Sequence, residues 1–108
     1  MASYLIQAAY TPEAWATLIR NPHDRTAAIK SAVEGIGGTL VHAWGCFGEY
    51  DVIVVVDVPD NLTAAALAIS FAAGGALKSC KTTPLLSTSD VENAVRKAGT
   101  VGYKPPSA

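Results

Sequence analysis

The stretch "GCFGEYDVIVVVDVPD", residues 45–60, decides the fold. A Gly-Glu-Tyr-Asp segment, Gly48 to Asp51, leads into an apolar run that Pro59 and Asp60 close. Just before it, "TLVHAWGCF" (residues 39–47) also has strand composition. Two such runs joined by a glycine-containing turn predict an antiparallel hairpin. Loops over 48–49 or 47–50 give the same facing, with Cys46 opposite Asp51. Side chains alternate along a strand. One face therefore carries Val41, Ala43, Phe47, Tyr50, Val52, Val54 and Val56, and is expected under the helices. Tyr50 is expected to close the end of that helix-side core. The other face carries His42, Trp44, Cys46, Asp51, Ile53, Val55 and Asp57.

Working outward, "SYLIQAAY" (3–10) reads as a first strand. Thr11 is placed to N-cap a short helix, "PEAWATLIR", with Pro12 at its start. Asn21-Pro22 interrupts it. A second helix is expected from His23 to Ile36, where Ala28, Ile29, Ala32, Val33 and Ile36 recur at helical spacing as one buried face, and Gly37-Gly38 ends it. After the hairpin, Pro59-Asp60-Asn61 starts "LTAAALAISFAAGG", and "LKSCKTTPLL" reads as a fourth strand that Pro84 restricts to an edge. Ser87 to Asp90 caps a last helix, "VENAVRKAG". The order β-α-β-β-α-β plus a C-terminal helix is the ferredoxin-like α+β pattern, a four-stranded antiparallel sheet with helices on one face. Residues 1–98 are expected to form one domain and 99–108 an extended tail.

Bulk composition narrows the partners. Hydrophobic residues make up 50% of the chain and charged residues 16%, below the usual quarter or so, which implies that a second subunit covers some surface. A net charge of -1 leaves no electrostatic footprint for nucleic acid or an anionic membrane. Cys46 and Cys80 are too few for a disulfide framework. "MASYLIQAAY" lacks the basic segment of a secretory leader, so a cytoplasmic protein with reduced thiols is expected. "TAAALAISFAAGGAL" is shorter than the roughly 20 residues that span a bilayer.

Gly48, Tyr50 and Asp51, followed by an apolar strand and a Pro-Asp helix start, resemble the GYD-domain family of small, mostly bacterial proteins. The likeness runs from about Tyr4 to Arg96, through "KSAVEGIGG" (30–38) and "KTTPLL" (81–86). Glu49 inside the motif and the glycine-rich "FAAGGAL" depart from the family's usual form. The resemblance implies a dimeric α+β barrel, two sheets packed face to face, and brings no established activity with it.

Tested against specific chemistries, the residues discriminate. His42 and Cys46 lie four positions apart on one strand, roughly 13 Å, too far to share a metal ion. No metal site or cofactor is expected. Cys46 beside Asp51 is a poor nucleophile, since a nearby carboxylate raises a thiol's pKa. Cys80, flanked by Lys78 and Lys81, would gain thiolate character if exposed, but a small packing residue is the simpler reading. His42 could serve acid–base chemistry, with Asp51 or Tyr50, or stand in as a haem ligand in a sheet-face cavity. Gly35, Gly37 and Gly38 follow a helix and so form no phosphate loop. Arg20 and Arg25 flank Asn21-Pro22, where an anionic ligand could meet the sheet edge.

The expectation is a homo-oligomer that assembles, or binds a small ligand, through the open sheet face, with His42, Trp44, Cys46 and Asp51 as the candidate binding residues. The alternative is a small acid–base or haem-dependent enzyme built on His42.

Overall fold

The computed structural model describes residues 1–107. Its elements are β1 (Ala2–Tyr10), α1 (Pro12–Arg20), α2 (Thr26–Gly35), β2 (Thr39–Gly45), β3 (Val52–Val58), α3 (Asn61–Ala73), β4 (Leu77–Leu85) and α4 (Thr88–Ala98). The sheet order is β2-β3-β1-β4, and every neighbouring pair is antiparallel. This is the ferredoxin-like arrangement. Pro84 falls on the edge strand β4, the position in a sheet that tolerates a residue without an N–H.

The helix starts follow the sequence signals. Thr11 Oγ1 accepts from Ala14 N at 3.1 Å, Asp60 Oδ1 from Thr63 N at 2.9 Å, and Ser87 Oγ from Asp90 N at 3.0 Å. Each satisfies a first-turn amide that has no partner inside the helix. α2 starts at Thr26, later than the expected start at His23, because the chain from Asn21 to Arg25 is a loop that Pro22 stiffens. It ends where Gly37 takes a φ of 82° and Gly38 N donates to Val33 O at 2.9 Å. Gly38 is needed for a second reason: a Cβ there would lie 2.8 Å from Asp57 O and 3.0 Å from Val33 Cγ1. That close approach seats α2 against the sheet.

The core lies between the sheet and the helices. Tyr4 and Ile6 of β1 and Val54, Val56 and Val58 of β3 meet Val33 of α2 and Ala64 and Leu67 of α3. The Tyr4 hydroxyl donates to Asn61 Oδ1, so this aromatic ring is buried with its polar end satisfied. Of the apolar α2 stripe only Val33 is buried; Ile29 packs at the margin, and Ala28, Ala32 and Ile36 are exposed. α2 lies chiefly over the edge strand β2, and a helix over an edge covers little of the sheet's middle.

Alternation fails at two places in the hairpin. The β2–β3 register slips between Leu40 and His42, so Leu40 pairs with Val56 while Ala43 pairs with Val54. One extra residue in a strand inverts the facing of what precedes it. Leu40 therefore packs against the core and Val41 is 41% exposed. Phe47, expected under the helices, is 98% exposed, and Tyr50 is only half-buried and outside the core. Both belong to the loop 47–50, which leaves the ladder after Cys46 N donates to Asp51 O at 2.9 Å. A side chain beyond the last ladder pair need not follow the pleat. Gly48, at a φ of 127°, supplies the turn.

Candidate functional site

The register sorts the open face into rows that cross the sheet. One row is His42, Val55, Leu5 and Thr83; the next is Trp44, Ile53, Gln7 and Lys81; the third is Thr39, Asp57, Ser3 and Leu85. Leu5, Ile53 and Val55 are half-buried, Trp44 is 52% exposed and Leu85 38%. No helix covers them. Polar groups flank this apolar centre: Ser3 Oγ donates to Asp57 Oδ1 at 2.5 Å, and Lys81 stands free on the β4 edge.

The sequence-predicted residues do not converge. His42 and Trp44 stack, with ring centroids 5.0 Å apart and planes inclined by 24°. His42 is exposed and has no hydrogen-bond partner among the described residues. Cys46 sits at the far end of the hairpin, where its Sγ lies 3.1 Å from Tyr50 O and donates to it. Asp51 works as a clamp on the backbone. Its N donates to Ala8 O at 2.8 Å, its O accepts from Cys46 N, and its Oδ2 accepts from Tyr10 N at 2.9 Å. That carboxylate ties the end of β1 to the start of β3. It lies several ladder positions from His42, which pairs with Val55, so the two are not placed as an acid–base pair.

Cys80 faces the helices, paired with Ala8, and packs against the core. Burial pushes its thiol up, so the neighbouring lysines do not make it a thiolate. Lys81, one position on, points to the opposite face. Among the described residues no group of three or more His, Cys, Asp or Glu side chains is placed to hold a metal ion, and no helix is long and apolar enough to cross a membrane.

One cluster escaped the sequence reading. Tyr10, His23 and Arg25 come together beside the α1–α2 loop, on the helix side of the sheet. Trp15 meets Tyr10 edge-on at 5.1 Å. Arg25 beside a proline-interrupted loop was the only signal, and nothing local says that the loop turns back over the end of β1.

The fold and the hairpin define a small ferredoxin-like α+β domain. The GYD domain model matches residues 4–95, and the chain belongs to that family. No curated protein matches it. Among solved structures, the crystal structure of FFRP-DM1 is similar over 80% of this chain and 100% of its own, at 18% identity and a TM-score of 0.46, a likeness too slight to argue from.

Proposed function

We propose that this GYD-domain protein is a homo-oligomeric assembly module of the cytoplasm whose open sheet faces pack together, in the manner of a dimeric α+β barrel. The observation that carries the reading is the uncovered patch of Leu5, Ile53, Val55 and Trp44 on the sheet. A solvated sheet face normally alternates to polar residues. A second copy is the partner that suits this face, because the face is self-complementary. A two-fold axis along the strands lays the Lys81 edge of one copy over the Trp44 edge of the other, an ammonium over an indole. His42 then lies in the wall of whatever space the two faces enclose, with Cys46 toward the hairpin end, and a small ligand could occupy that space.

Two further features support assembly. α3 contains no charged residue, yet Leu62 and Ile69 are 79% and 67% exposed. α4 is exposed throughout, with Val91, Ala94, Val95 and Ala98 along one stripe. The radius of gyration is 17.4 Å, against about 13 Å for a compact chain of this length, and α4 packs little against the other elements. An isolated helix of this length is marginal in water and gains from a partner.

Light scattering tests the reading. The natural chain should have at least twice its 11.2 kDa mass. Trp44→Arg puts a charge in the packed face and should shift the protein toward monomer. A monomeric natural chain, or an unchanged oligomer in the variant, sinks the proposal.

A further inference from the structure

The helices do not close completely over the sheet. Between the sheet, α1, α2 and the end of α3 lies a cavity of about 580 Å3, a size that accepts a drug-like molecule. Ile6, Ala8, Val52 and Val54 form its floor, and Ile29 and Phe71 stand in its walls. A smaller hollow of about 210 Å3 adjoins it, since Tyr10, His23 and Arg25 line both. Tyr10, His23 and Arg25 thus stand at one end of a mostly apolar chamber, an arrangement that orients a ligand with one polar head.

The charges at that junction are unevenly engaged. Asp51 accepts from Tyr10 N at 2.9 Å, and Asp24 accepts from Thr26 N at 2.8 Å. Glu13 lines the larger chamber from the first turn of α1, where the helix dipole favours it. Arg25 has no carboxylate partner among the described residues, where the one ion pair is Arg96–Glu92. Burial pushes the Tyr10 hydroxyl up, with Arg25 opposing and Asp51 adding to the shift, so Tyr10 is a neutral O–H donor within reach of the Arg25 charge. His23 Nδ1–H donates to Asn21 O at 2.7 Å, which fixes the ring and leaves Nε2 free.

We infer that this helix-side cavity binds a small, mostly apolar carboxylic acid, with its body against Ile6, Val54, Ile29 and Phe71 and its carboxylate held by Arg25 and the Tyr10 hydroxyl. A guanidinium matches a carboxylate with two parallel hydrogen bonds, and Arg25, an exposed residue, offers them at the solvent end of the chamber. The larger chamber lies on the face opposite the proposed assembly surface, and only the smaller hollow reaches Trp44, so a ligand in the chamber is tested separately from self-association.

The test is an NMR titration of the full-length, nitrogen-15-labelled protein with 3-phenylpropanoate and, separately, with its uncharged amide. The acid should move the amide signals of Ala8, Tyr10, Ile29 and Phe71 saturably. Arg25→Gln should weaken the acid about tenfold and leave the neutral amide's affinity unchanged. Ala28→Trp, which fills the chamber from an exposed position of α2, should abolish binding of both. Three results overturn the inference: no saturable shifts up to about 10 mM of either compound, shifts centred on Leu5 and Val55 instead, or equal affinity for the acid in Arg25→Gln. A monomeric natural chain with intact binding would count against the assembly proposal alone.

Discussion

The two faces of the sheet are built from nearly the same residues and end in different states. On β3, Val54, Val56 and Val58 are 3%, 0% and 0% exposed, while Ile53 and Val55, which alternate with them, stay half-buried. Composition cannot explain that difference. What differs is the layer above: α2 and α3 bring Val33, Ala64 and Leu67 onto one face, and no described helix covers the other. An apolar side chain is stabilising in proportion to the area removed from water. Equal hydrophobicity therefore yields core on one side and unfinished surface on the other. The covered face is itself uneven, closed around Val33 and Val56 and hollow beside Tyr10 and Arg25.

The sharpest way to break this contrast is a matched pair of truncations. Leu67→Ala, at 3% exposure, should lower unfolding free energy by about 3 kcal/mol, read as a reduced urea midpoint with an unchanged slope. Leu5→Ala, on the open face, should cost about 1 kcal/mol in a dilute, monomeric sample. If a second copy covers Leu5, its effect instead grows with protein concentration. Equal, concentration-independent losses would erase the distinction between the faces.

A smaller effect belongs to the clamp between the faces. Asp51→Ala removes the acceptor of Tyr10 N and should cost roughly 1 kcal/mol, with faster amide exchange at Tyr10 and Ala8 as its local signature. Unaltered exchange at both would show that the carboxylate does not hold β1 to β3.

The smallest effect is a titration. In a Cys46→Ser background, alkylation of Cys80 should stay slow past the ordinary thiol range and accelerate only above it, because burial favours the neutral thiol. The folded thiol keeps its proton to higher pH than the unfolded one. Its contribution is present below the unfolded value and is lost as pH rises through the folded one, so stability declines slightly with alkalinity there. A midpoint at the unperturbed value would place Cys80 in solvent.

Much of the architecture was legible because it rests on local chemistry. Thr11, Asp60 and Ser87 announce helix starts by satisfying amides three residues on, and Pro84 marks an edge strand by the donor it lacks. The hairpin pairing of Cys46 with Asp51 also follows from the apolar runs on either side of the turn. Alternation placed His42, Trp44, Ile53 and Val55 on one face, and the register agrees. It misplaced Val41 and Phe47, since a strand irregularity and a loop both break the period without any distinctive residue to signal them.

The candidate sites divide the same way. The sequence by itself determined the order of elements, the helix caps and the excess of apolar surface, because each depends on residues within a few positions of one another. Only the tertiary structure decided that Asp51 spends its carboxylate on Tyr10 N and that α2 covers an edge strand. It also brought Tyr10 to Arg25 at the mouth of an apolar chamber. Those outcomes depend on how far helices stand from a sheet and on which distant backbone atoms need a partner, and no local pattern of residues encodes either.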